Sequence, residues 1–225
     1  MVREQLRTPR SAAIAGIAFS VLLIAALVLI RAAVPADPRE QGAWLTAYWG
    51  KVMFGLQLLP FAGIAFLWFI GVVRDRLGDR EDRLFATVFL GSGLLFLAML
   101  FMSAAVAGGL LVVYREQPGG PVSRDTYAFG RAVTYVIMNT YAMRMAGVFM
   151  ISTCTLFLRT AVGPRWMAFL GYALALLLLL TTAETSWSIF VFPLWVLLIS
   201  VDILVENYRR GAGPMATSGA ETAER

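Results

Sequence analysis

Six stretches of this chain run for fifteen to thirty residues almost without a charged side chain. A membrane-crossing helix needs roughly 20 predominantly apolar residues. A single soluble core could not hide so many uninterrupted apolar runs, so the pattern predicts an all-α, polytopic membrane helix bundle. The expected spans are 11–30, 51–73, 84–113, 132–158, 166–180 and 186–205, within one membrane domain covering 11–208. Composition agrees: 59% of the residues are hydrophobic and 15% charged, against about 25% charged in soluble domains.

The connections carry turn and interface signals. Pro35 and Pro38 lie in the first, and Trp44, Tyr48 and Trp49 near the second span suit a membrane–water boundary. Gln117-Pro118-Gly119-Gly120-Pro121 marks the third loop. Span 84–113 is longer than a bilayer core requires, so it should tilt, protrude or break, with Gly108-Gly109 as the natural break. Pro60 should bend span two. Spans five and six read as a tight hairpin. Basic residues set the orientation. With the N-terminus inside, twelve lie in cytoplasmic segments and six in outer ones, with Arg144 inside span four. This bias predicts an N-in/C-in arrangement with a cytoplasmic N-terminus at 1–10 and a disordered cytoplasmic tail at 209–225. The first run exceeds a usual signal-peptide core, which favours an anchor over cleavage near Val34-Pro35-Ala36. The arginines cluster beside helix ends, so lipid headgroups rather than nucleic acid are the expected partners.

The chain has no histidine and one cysteine, Cys154. It therefore offers no His ligand for haem or zinc, no Ser-His or Cys-His nucleophile pair and no intrachain disulfide. The expectation is a protein without a metal or cofactor and without enzymatic activity. Arg144 is the exception to the apolar pattern. A charge at mid-span costs a few kcal/mol on insertion scales and marks a functional candidate. At 100° per residue, Thr134, Thr140, Tyr141, Arg144, Ser152 and Thr155 share a sector about 120° wide. Such a stripe would face a hydrated path or other helices; a structural arginine that snorkels or pairs is the plainer alternative. Asp202 and Glu184 are the candidate acidic partners, Glu184 at better depth for Arg131 or Lys51, while Asp202 with Glu206 beside Arg209 and Arg210 reads more simply as the cytoplasmic end of span six. Ala12, Gly16 and Ser20, four apart, would permit close helix approach, although small residues are common in any membrane helix.

Gly71, Asp75, Arg76, Gly78 and Arg80 read Gly-x-x-x-Asp-Arg-x-Gly-x-Arg. This resembles the cytoplasmic loop between helices two and three of major facilitator transporters. The resemblance implies a charge latch formed by Asp75, Arg76 and Arg80, with Asp79 standing where that family has a basic residue. From Pro60 to Gly109 the chain also looks like a group of uncharacterised actinobacterial multi-pass proteins, which implies a bacterial plasma membrane and no particular activity. Two functions follow as expectations. One is a small permease or transporter-like protein, expected as a homodimer. The other is a non-catalytic membrane subunit or regulator packed against a partner protein.

Overall fold

In lipid, backbone N–H and C=O groups find no water, and a helix satisfies them internally. The structure, a computed structural model, describes residues 8–34, 43–77, 83–116, 124–160, 165–180 and 187–211. These form six helices, with no strand among the described residues. Helix α1 is Thr8–Ala33, α2 is Ala43–Leu77 and α3 is Arg83–Glu116. Helix α4 joins Arg124–Val136 to Met143–Thr160 through a π-helical segment, Ile137–Ala142. Helix α5 is Arg165–Leu180, and α6, Val191–Gly211, follows a 3-10 turn at Ser188–Phe190. Five helices are long and apolar enough to cross a membrane; α5, with 16 residues, is the short one.

The helices outrun the expected spans. Helix α2 starts at Ala43, so Trp44 through Trp49 are helical, and α4 starts at Arg124. Helix α3 continues unbroken through Gly108-Gly109 to Glu116. Each glycine costs about 1 kcal/mol in a helix, whereas exposing backbone to lipid costs several, so the helix persists. Pro60 likewise lies within an uninterrupted α2.

Because lipid tails are as apolar as leucine, burial alone does not drive these helices together; packing must. The centre is aromatic. Phe19, Phe66, Phe96, Phe149 and Phe192 come one each from α1, α2, α3, α4 and α6, and all are buried. Phe66 meets the other four at centroid separations of 4.6, 5.5, 5.1 and 5.7 Å respectively. Small residues supply the remaining close approaches. Ala12, Gly16 and Ser20 are buried on α1. Gly16 lies where a Cβ would collide with Ser200 of α6 and come within 2.9 Å of Phe69 of α2. Helix α1 is therefore wedged between α2 and α6.

Helix α6 docks on α1 far more extensively than on α5, so the last two helices do not form the expected tight hairpin. Helix α5 instead lies on the outer side of α4, where Gly147 abuts the Ala175 carbonyl and the hydroxyls of Thr155 and Tyr172 are 2.7 Å apart. Interhelical hydrogen bonds in membranes are worth about 0.6 kcal/mol on average, up to about 1.7. Tyr172→Phe should thus lower stability by about 1 kcal/mol, measured by denaturing-detergent titration in mixed micelles.

Candidate functional site

One end of the bundle differs in chemistry from the rest. Arg31 near the end of α1, Lys51 in α2, Arg115 at the end of α3 and Arg131 in α4 each lie over an aromatic ring. The partners are Phe190, Tyr48, Trp49 and Tyr135, at 5.7, 5.2, 4.7 and 5.3 Å from the ring centroids. Such pairs suit an interface, where the ring is apolar on one side and the cation hydrated on the other. The Arg131 Nη1 also donates to the Tyr127 hydroxyl at 3.3 Å.

Beneath this belt is a cavity of about 140 Å³ between α1, α2, α3 and α4. Its apolar wall includes Leu27, Leu59, Leu100 and Leu111, and its polar groups include Arg31, Arg131, Ser103, Thr134 and Asn139. The described part of α6 reaches less far toward this end than α1 does. Phe19 of α1 packs on Phe192 of α6. From that level α1 climbs fourteen more residues to Ala33, while the described part of α6 and its 3-10 turn climbs four, to Ser188. At 1.5 Å per residue the described α6 end stops about 15 Å lower. Ile189 of the turn is part of the cavity wall.

The π segment of α4 borders the same space. Its signature is the Met143 N–H reaching back five residues to the Met138 carbonyl. Met138 and Asn139 in this segment are buried and line the cavity. Across from them the Ser103 hydroxyl donates to the Thr134 carbonyl at 3.1 Å, while Thr134 donates to the Gly130 carbonyl at 2.8 Å. A π turn adds one residue to the helix, and such bulges recur at functional sites.

That extra residue redirects the polar stripe. Past the π segment, side chains are turned by roughly 100° from the regular wheel. Arg144 then falls about 180° from Thr134 instead of beside it. Accordingly Thr134 lines the cavity, whereas Arg144 is exposed on the outer face of α4 and Tyr141 is 55% exposed. Thr140 is half-buried. Ser152 is buried and bonds back to the Val148 carbonyl, and Thr155 serves α5. The six residues expected to share a face do not.

Asp202 lies half-buried in α6 with interactions of its own, as does Glu206. Phe149 and Phe192 pack at 5.9 Å. Arg144 is five residues beyond Phe149 toward the Arg31 end, and Asp202 ten residues beyond Phe192 toward the other. The two charges are thus about 22 Å apart along the bundle. Glu184 and Arg80 lie outside the described residues, and Asp75 and Arg76 occupy the last turn of α2. Among the described residues no three His, Cys, Asp or Glu gather where they could hold a metal. Cys154 is buried, packed beneath Gly171.

The residues that sequence reasoning missed are Arg31, Arg131, Ser103 and Asn139. The arginines were read as orientation signals and headgroup contacts, with Arg131 as a candidate partner of Glu184. Asn139, an amide in an apolar helix, is the one sequence signal that could have marked this face. Comparison with protein-family models, curated proteins and solved structures finds no match to this chain.

Proposed function

We propose that this multi-pass membrane protein is a small, non-enzymatic, permease-like solute binder whose solute site is the cavity under Arg31 and Arg131. One observation carries the reading. A space with two guanidinium groups and a buried amide lies at one end of a bundle whose centre is packed with phenylalanine. Pockets of this composition, apolar with a few convergent polar groups, are the default binding-site hypothesis. On this reading the membrane is a bacterial plasma membrane, and the arginine bias supports the cavity end facing outward. Asp75 and Arg76, in the last turn of α2, then lie on the cytoplasmic side, at the opposite end of that helix.

The test is a thermal-shift screen of neutral, cationic and anionic solutes on the purified protein, repeated on Ala104→Phe. Ala104 lines the cavity, and phenylalanine there would fill it. Every stabilising solute should lose its effect in the variant. Solutes that stabilise both proteins equally would place binding elsewhere and remove the reading.

The outward position of Arg144 favours a second reading, a membrane subunit that packs against a partner protein. Arg144 sits near the middle of the 35-residue span Asp125–Arg159 and is exposed there. A carboxylate on a partner helix, or a polar surface on a second copy, would offset its cost in lipid. Arg144→Leu in the isolated chain should then leave cavity binding unchanged. It should also favour membrane insertion by about 2–3 kcal/mol on translocon scales, read from the inserted fraction in a translocon assay. A loss of insertion on substitution would show that the chain itself holds this arginine.

A further inference from the structure

We propose that the cavity takes a single-chain anionic amphiphile: one alkyl or acyl chain bearing a phosphate or carboxylate head. This rests on the cavity being the solute site and names what that site selects. The shape argues for a chain. The wall runs from Val52 to Leu59 along α2 and from Leu111 to Leu100 along α3. At 1.5 Å per residue these stretches extend about 10 and 16 Å along the helices, parallel to the acyl chains of a bilayer. A volume of about 140 Å³ spread over that length is narrow. It is close to the roughly 150 Å³ in which an engineered apolar cavity accommodates one benzene. About six carbons of one chain fill such a space, so a longer chain must run on past it into lipid; the paired chains of a phospholipid do not fit.

The charge argues for an anionic head. Arg31 lies in the last turn of α1 and Arg131 in the second turn of α4, so both stand at the end of the bundle, where a headgroup would lie. Both also line the cavity. Guanidinium groups present several N–H donors in a planar fork that matches phosphate and carboxylate oxygens. Among the described residues that line the cavity, none is acidic. The polar groups further in are Ser103 and Thr134, which already donate to backbone carbonyls, and the buried amide of Asn139, which has an interaction of its own. The polarity thus grades from cationic at the bundle end to apolar at Leu59 and Leu100, which is the grading of an anionic amphiphile standing head-out.

The experiment uses the full chain in phosphatidylcholine nanodiscs and four probes: dodecyl phosphate, dodecanol, dodecyltrimethylammonium and inorganic phosphate. Saturable binding is read as a thermal shift and as intrinsic tryptophan fluorescence. Dodecyl phosphate should bind at least tenfold more tightly than any other probe. Arg31→Gln and Arg131→Gln should each weaken it about tenfold while leaving unliganded melting near wild type, and Ala104→Phe should abolish it. Equal binding of dodecanol and dodecyl phosphate, both lost in Ala104→Phe and neither changed by the arginine variants, would overturn the anionic selectivity while the cavity remained the solute site. Inorganic phosphate binding as tightly as dodecyl phosphate would overturn the role of the chain. Dodecyl phosphate binding that survives in Ala104→Phe would contradict both this proposal and the cavity reading.

Discussion

Gly16→Leu should prevent the bundle from closing, or lower its stability by about 3 kcal/mol or more. Gly16 is the tightest point of α1. A single added carbon already collides with the Ser200 hydroxyl and comes within 2.9 Å of the Phe69 ring. Those neighbours belong to different helices, α6 and α2, so relief on one side presses on the other. Phe69 is itself fully buried and stacked on Phe66 at 6.2 Å, which leaves it nowhere to turn. Denaturing-detergent titration of the purified variant measures the loss. A matched control separates crowding from helix propensity. Gly71 sits in α2 with no atom within 4 Å of its notional Cβ. Gly71→Ala should therefore be neutral, or stabilising by up to about 1 kcal/mol through propensity alone.

Phe66→Ala should cost about 2–3 kcal/mol and loosen all five helices that meet at this ring. In water a buried Phe→Ala exchange typically costs 3–5 kcal/mol, part of it from transfer of the side chain. In a bilayer the transfer part largely vanishes, because lipid is as apolar as the core. The void remains, at about 24 cal/mol per Å³ over roughly 100 Å³. The neighbours cannot easily collapse into it, since Phe96 and Phe192 are already packed on one another at 4.7 Å and Phe149 on Phe89 at 4.8 Å. Phe61→Ala provides the contrast. Phe61 is 62% exposed on the lipid face of the same helix, and its replacement should change stability little. Equal losses for Phe61 and Phe66 would remove the aromatic centre from the account of how the bundle holds together.

What could be read from the sequence depended on what fixes each feature. Helices α1, α2 and α3 were legible because apolar length is a direct demand of the bilayer. Their ends were less so: interfacial residues such as Trp44 to Trp49 and Tyr127 to Arg131 tolerate helix beyond the hydrocarbon, and no apolar run marks where it starts. The docking of α6 on α1 was not legible, because short connections suggest that sequence neighbours pack together, while here Gly16 and Ser200 make the closer fit. The spacing of Ala12, Gly16 and Ser20 held the clue, and common small residues masked it.

The polar stripe of α4 was read with a phase that the helix does not keep. Every assignment before Ile137 and after Ala142 is internally regular, but the π segment between them rotates one half against the other. A wheel at a constant 100° cannot represent that. It joined Thr134, which lines the cavity, to Arg144, which faces away from it. Arg31 and Arg131 were assigned to outer loops by charge alone, and only the fold shows that they overlie the same space.

The most direct measurement is sided labelling of Ser103→Cys in oriented membrane vesicles. Ser103 is 5% exposed, lines the cavity beside Thr134, and differs from cysteine by one atom. The wild-type chain supplies the background, since its Cys154 is buried. A sulfonated, membrane-impermeant maleimide should modify Ser103→Cys from the Arg31 side and leave the wild type unlabelled. Dodecyl phosphate should protect the new thiol. A thiol that is inert from both faces, or that reacts only from the N-terminal face, would contradict a solute site opening at the arginine end of the bundle.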